Sequence, residues 1–305
     1  MADEILSGSG GGTNILASEV ASLYVHELLK DAGNVRNHPA LVNLGMGLMG
    51  STTAHAATVG RDGYDIAGAS GSEAASVSNT ALTTGEKTIT VARHALAYEV
   101  SDLMASVDDT GITNPQRIAQ STAIGCQLAL MDLICNLLDN FATTAGSTTT
   151  PLAHDAFLAA KFKLIQNLVE GPYLWVCDQK QFTDWLSDLE SRGGSTQWRQ
   201  DLVEMQKIKG PGFQGTIDNI DIFTSNKVVS SGGAYLGGMF GRGAIAFQEK
   251  AIMPGPATIV ALSAGPVLVE HVRNGRSATN SVVGSYYAGV VELEDLRGVT
   301  VQSVN

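Results

Sequence analysis

The sequence is short of charge, and above all of positive charge. Lys and Arg number 19 against 30 Asp and Glu, a formal net charge of −11, and charged residues make up only 16% of the chain. A protein whose main work is to neutralise phosphates needs a basic face. Composition excludes that class and leaves room for a local basic patch alone. Cysteine is scarce too: Cys126, Cys135 and Cys177 form an odd set with no CxxC pair. That speaks against a disulfide framework and against a structural zinc site, and three buried thiols are expected. No stretch approaches the ~18 uncharged apolar residues of a membrane-spanning helix. The opening Met1-Ala2-Asp3-Glu4 is acidic where a secretory signal is basic.

What is present suits a sizeable folded protein. At 305 residues, 44% of them hydrophobic, the chain is long enough for about two domains and a substantial core. Low charge beside 34 glycines implies a surface largely covered by something other than water. Residues 1–13 are Gly/Ser-rich and need a neighbour to order them. Asn14 then caps a short helical stripe of Leu16, Val20, Leu23, Tyr24 and Leu28, which reads as an arm lying on something.

Residues 51–84 hold five large apolar side chains, Val59, Tyr64, Ile66, Val77 and Leu82, among Gly, Ala, Ser and Thr. Such a stretch cannot bury a core of its own, and structureless loops beyond ~15 residues are uncommon. The alternating, β-branched start of 88–100 predicts a strand that closes it, so the pair reads as a long two-stranded excursion. Residues 114–141 carry the clearest helical pattern. Asn114 caps, Pro115 takes the first helical position, and Leu130, Ile134, Leu137 and Phe141 share a face expected to be buried.

An α+β block follows. Leu158, Phe162, Ile165 and Val169 mark a second amphipathic helix, stopped by Gly171-Pro172. Residues 173–177 read as a short buried strand, and Phe182, Trp185, Leu186 and Leu189 as a third helix ending at Gly193-Gly194. Strands are expected at 217–223 and at 234–247, the latter turning at Gly241-Arg242-Gly243. Asn274-Gly275 signals a type I′ hairpin between 266–273 and 276–283. Residues 286–293 and 299–304 continue as strands, and no internal repeat appears.

Gly45-Met46-Gly47-Leu48-Met49-Gly50 matches GxGxxG. A dinucleotide site would also need a following helix and an acid closing a second strand. The Ser/Thr/Ala-rich residues that follow supply neither, so a flexible turn is the simpler reading. The six histidines show no HExxH or other close metal spacing, and neither a P-loop nor a GxSxG elbow is present. His154-Asp155 reads as a helix cap. Lys161-Lys163 and Lys207-Lys209 read as solvated faces or interface pairs. Trp198, in a polar stretch, reads as an interface anchor. No cofactor, metal or catalytic residue is expected.

The order of arm, weak loop closed by a strand, long capped helix, α+β block and terminal strands resembles the major capsid proteins of tailed bacteriophages, the Hong Kong 97 fold. Residues 88–103, with Ala95-Leu96-Ala97-Tyr98-Glu99-Val100-Ser101-Asp102-Leu103, resemble the strand leaving that family's extended loop. Residues 114–141 resemble its spine helix, 172–189 the strand and helix of its axial domain, and 285–301 its closing strands. The resemblance implies an N-terminal arm at 1–45, an extended loop within 46–100, a peripheral domain of 101–150 plus 256–305, and an axial domain at 151–255. It implies a non-enzymatic shell subunit that assembles with itself as hexamers and pentamers around double-stranded DNA, which it contacts weakly and without sequence specificity. The protein would belong to the virion and assemble in the host cytoplasm. Portal and cement or decoration proteins are further implied partners. The arm starts within a few residues of Met1, with no charge-rich helical segment ahead of it, which points to a separate scaffolding protein. Loop residues Arg61, Asp62, Asp65, Lys87 and Arg93, with Glu99, Asp132 and Trp198, are the candidate inter-subunit contacts. An encapsulin-like nanocompartment is the alternative within the fold, and an enzyme with a cofactor loop at 45–50 is the alternative outside it.

Overall fold

The structure, a computed structural model, describes residues 35–46, 53–59, 84–101, 103, 121, 125, 128–192, 212–250, 261–264 and 267–305. Arg61, Asp62, Asp65, Trp198, Cys126 and the helix start at Asn114-Pro115 lie outside the described residues, as does the arm stripe Leu16–Leu28.

Two sheets share one body. In a seven-stranded sheet the neighbours run β5 (Thr144–Gly146), β15 (Gly298–Val304), β10 (Ala234–Phe240), β6 (Tyr173–Cys177), β8 (Ile220–Thr224) and β7 (Phe213–Ile217), with β9 (Val229–Ser231) paired to β10. β5–β15 and β6–β8 are parallel and the rest antiparallel. The six-stranded sheet is centred on β14 (Thr279–Glu292). β11 (Ile245–Glu249) and β13 (Val267–Asn274) pair with β14, as does β4 (Ala92–Ser101). β1 (Leu41–Met46) pairs with β11 in parallel, and β12 (Ala261–Ala264) with β13. A separate ribbon joins β2 (Thr53–Val59) to β3 (Thr84–Thr90).

Alternation along β6 explains the layering. All five of its residues are buried, and successive side chains enter different cores. Leu174 and Val176 join one cluster, Trp175 and Cys177 the other. The first cluster lies between the sheets and takes in α1, helical at 121, 125 and 128–135, whose described part is labelled from 128–135. Leu130, Ile134 and Leu138 of this region are buried there, beside Phe240, Phe247 and Tyr286. The helix ends at residue 135, six residues before its pattern predicts. Residues 136–139 form a turn, so Phe141 reaches its buried place from an extended segment. Its ring occupies the space that a Cβ at Gly298 would need, so only glycine fits there.

The second cluster is covered by α2 (His154–Gln166) and α3 (Gln179–Ser191). α3 matches expectation: Phe182, Trp185 and Leu189 turn inward, and Asp178 caps the helix in a capping box with Gln181. α2 reverses it. Phe157, Ala160 and Leu164 are buried, while Leu158, Phe162 and Ile165 of the predicted stripe are exposed and its fourth member, Val169, is buried beyond the helix end. Its N-cap is Ala153, without a side-chain bond, so His154-Asp155 is no cap. Instead the His154 backbone N–H donates to Asp188, and its Nδ1 accepts from Trp185 Nε1 at 3.1 Å.

Two turns differ from their predicted form. Residues 217–223 are not one strand. Asp218 and Asn219, both at positive φ, join β7 to β8 as a hairpin. The hairpin at Asn274-Gly275 exists, but its loop spans residues 275–278 with Ala278 in the left-handed position, because Asn274 still pairs with Thr279. Beyond it, 279–283 and 286–293 merge into the 14-residue β14. The turn at 241–244 is present and carries the chain from one sheet to the other, since β10 and β11 belong to different sheets.

Candidate functional site

The described residues place no group of three or more His, Cys, Asp or Glu where it could hold a metal, and no described helix is long and apolar enough to cross a membrane. The surfaces and junctions of the fold are therefore the places to look for function.

The expected excursion is there in its base. β2 pairs with β3 from Thr53↔Thr90 to Val59↔Thr84, and residues 60–83 between them lie outside the described set. The ribbon is polar because its sequence is: among its described side chains only Ala56 and Ile89 are buried. His55 and Glu86 form an exposed ion pair across it. β4 continues the path along β14 in full register from Ala92↔Ala288 to Ser101↔Thr279. A two-stranded ribbon is marginal alone, and Ile89, packed beside Gly289 of β14, is what fixes its base.

The candidate contact residues fall along this path. Lys87 is exposed on β3 and faces Glu292 of its own chain. Burial raises the Glu292 carboxyl above its ordinary range, Asp295 adds to that, and Lys87 opposes it. Arg93 is exposed on β4 and donates from Nε and Nη2 to Ser285 Oγ, at 3.0 and 2.9 Å. Glu99 accepts from Thr279 Oγ1 at 2.6 Å. Asp132 is half-buried on α1. Lys87, Arg93 and Glu99 thus share one strip, whereas Asp132 belongs to the helix. Between β4, β14 and Gly125 and Ala129 lies a cavity of about 150 Å³, lined also by His94, Leu96 and Tyr286. It has room for water, and His94 Nε2 has no partner among the described residues.

Two buried polar links were missed in the sequence. The Arg36 guanidinium pairs with the Glu249 carboxylate, which also accepts from Tyr286 Oη at 2.6 Å. Glu249 is 1% exposed, so it depends on that pair and on the phenol to be tolerated. Its hydrogen bond and charge raise the Arg36 pKa further. His38 Nε2 meets Asp221 Oδ2 at 3.1 Å, and Nδ1 accepts the Ala40 N–H, which assigns the Nε2–H tautomer. Both ring nitrogens are occupied, so this pair is a brace and not an acid–base dyad. Together the links tie the segment ahead of β1 to β11 and to β8, one in each sheet. Their signal was local: Arg36-Asn37-His38-Pro39 directly precedes an apolar strand, and Glu249 closes the apolar run of β11.

Cys135 and Cys177 are free and buried, as expected. Burial pushes the Cys135 thiol up to about 12 and Cys177 well above its ordinary value, so both are inert thiols. Gly45 ends up inside β1, at positive φ, where the parallel register with β11 shifts between Asn43 and Met46. Residues 47–52, the rest of the glycine motif, lie outside the described residues.

A family model described as phage capsid protein matches residues 83–302, from the start of the returning ribbon strand into the last strand. The chain belongs to the phage capsid protein family. Its role is structural, as a subunit of a capsid shell, and its fold is the α+β fold of Hong Kong 97-like capsids. Solved structures agree on the fold. The capsid of Helicobacter pylori bacteriophage KHP30 matches with a TM-score of 0.58 at 10% identity, over 86% of this chain and 88% of that one. The capsid of cyanophage P-SCSP1u matches with 0.56 at 12% identity, over 89% and 88%. The SrpI encapsulin of Synechococcus elongatus matches with 0.54 at 10% identity, over 87% and 85%. No curated protein matches the sequence.

Proposed function

We propose that this capsid protein closes into an icosahedral head shell as hexamers and pentamers, with packaged double-stranded DNA inside. The family match over 83–302 carries this reading. In it, residues 1–45 are the arm and 46–100 the extended loop, 101–150 with 256–305 the peripheral domain, and 151–255 the axial domain. A polar ribbon that buries so little of its own surface suits a loop lying over a neighbouring subunit. Arg61, Asp62, Asp65, Lys87, Arg93, Glu99, Asp132 and Trp198 are its proposed contacts, setting register more than affinity. A net charge of −11 supports weak, non-specific contact with DNA, which confinement holds in place. Assembly takes place in the host cytoplasm with a separate scaffolding protein, a portal and a cement or decoration protein as partners. The subunit does no chemistry of its own.

Electron microscopy of the purified chain, expressed alone and with the products of its neighbouring genes, tests this. Closed particles of icosahedral outline support it, and a small oligomer under every condition overturns it. Particles whose lumen holds an enzyme cargo and no nucleic acid would favour the encapsulin reading.

A further inference from the structure

A helix that is apolar on all sides belongs in an interior. α2 is apolar on two faces, and the described residues of one chain cover only one of them. Phe157, Ala160 and Leu164 face the sheet, whereas Leu158 is 41%, Phe162 59% and Ile165 49% exposed. The stripe continues past the helix. Leu168 is 68% exposed, and Leu296, 49% exposed, is brought alongside by a 2.8 Å hydrogen bond from Asn167 Nδ2 to the Leu296 carbonyl.

Leu168 also sits in an expensive conformation. The Leu168 N–H donates to the Ile165 carbonyl and the Val169 N–H to the Leu164 carbonyl, which is the pattern that ends a helix on a left-handed residue. That place favours glycine, yet leucine fills it at φ 53°. A bulky residue held left-handed and turned to solvent does nothing for the isolated subunit.

From these observations we infer that the stripe Leu158, Phe162, Ile165, Leu168 and Leu296 is a subunit contact, covered in the shell by a second copy of this chain. The inference rests on the proposed function and adds a surface to it. Size and charge favour that occupant. The five residues expose roughly 500 Å², the size of the largest patch on a typical monomer (~300–600 Å², often functional) and over half of the ~800 Å² per partner in a specific interface. Of the three cations around it, two are paired with carboxylates inside the chain and the third is hydrogen-bonded. Lys161 pairs with Asp218 at 2.8 Å, Lys163 donates to the Thr144 carbonyl, and Arg192 pairs with Asp155 at 2.7 Å. Lys163 and the exposed Glu170, opposite in sign, have no counter-charge among the described residues, so the rim offers a charged scaffold or a nucleic acid no surface of one sign. An acidic chain of low charge density offers the apolar partner that the stripe needs.

Side-chain labelling of the wild-type protein by a photoreactive carbene, in free subunits and in shells, tests the contact directly. Phe162 and Leu168 should be labelled in free subunits and protected in shells. Two variants test its energetics. Burying a phenylalanine contributes enough that Phe162→Asp should raise the protein concentration needed for assembly at least ~tenfold. Leu168→Gly should weaken assembly while the subunit melts at the same temperature or higher, because the backbone cost is relieved. This second variant separates assembly from folding. Equal labelling in shells and subunits, or normal assembly by both variants, overturns the inference and leaves the proposed function standing. Protection that appears only after another polypeptide binds finished shells overturns it too. Wild-type chains that never close into particles take down both readings together.

Discussion

α2 and α3 are helices of thirteen residues on the same face of the same sheet, and they are built in opposite ways. α3 has one apolar face, buried, and an outer face of Lys180, Thr183, Ser187 and Glu190. Its N-terminus is capped by Asp178, and Lys180 reaches Asp184 one turn on at 2.8 Å. Every feature is accounted for within one subunit. α2 has no side-chain cap, and its outer face carries Leu158, Phe162 and Ile165. Little about that face makes sense in a solitary molecule. The contrast teaches that two neighbouring elements of one fold can answer to different demands, one to the subunit and one to the assembly.

Substitutions can break the comparison, starting where the effect is largest. Trp185 is fully buried among Phe157, Trp175 and Phe182, with ring centroids 5.2, 5.6 and 5.9 Å away. Trp185→Ala should cost ~3–5 kcal/mol of subunit stability, read by denaturant unfolding. Asp178→Ala removes the α3 cap and should cost ~1 kcal/mol by the same measurement. A loss of stability from Asp178→Ala as large as from Trp185→Ala would show that the capping box braces more than its helix.

A smaller effect comes from the ribbon. Glu292 has a raised pKa in the folded chain, so folding favours its neutral form. That contribution is fully present below the ordinary glutamate value of 4.5 and is lost as pH rises through the folded value. Glu292→Gln should therefore raise the melting temperature slightly at pH 7, with the difference closing as pH falls below 4.5. Lys87→Gln should do the reverse at pH 7, because it removes the cation that offsets the burial. The smallest change is expected on the outer face of α2. Phe162→Ala should alter subunit stability by less than ~0.5 kcal/mol. A loss of several kcal/mol there would mean that the outer face of α2 is covered within the subunit, and the contrast between the two helices would collapse.

Much of the architecture was legible because it is local. The run Tyr173-Leu174-Trp175-Val176-Cys177 could only be a buried strand, and the inward face of α3 follows from Phe182, Trp185 and Leu189 at helical spacing. Poverty in large apolar side chains marked the 51–84 region as an excursion, and its base is a ribbon. Of the candidate contacts, only their places along the chain were legible. Lys87, Arg93 and Glu99 lie on one strip, as their positions in sequence suggested, but Arg93 and Glu99 already hold Ser285 and Thr279 of their own chain. Those partners are some 190 and 180 residues away along the chain, and local patterns carry no information about such pairs.

The sequence by itself determined the kinds of elements, their order and their polarity, and with them the resemblance to a phage capsid. Hydrophobic period, caps and turn residues act over a few positions, so they can be read there. Only the tertiary structure decided direction and distance. Leu158, Phe162 and Ile165 state a helical period without saying whether it points in or out, and Phe157, Ala160 and Leu164 offer a second apolar face at the same spacing. The choice fell to the sheet, where Phe157 meets Trp175 at 5.1 Å. Likewise Arg36 with Glu249, and His38 with Asp221, became partners because β1 lies along β11 and both sheets close over the end of α1. A buried charge must find a counter-charge, and which one it finds is set by the path of the whole chain.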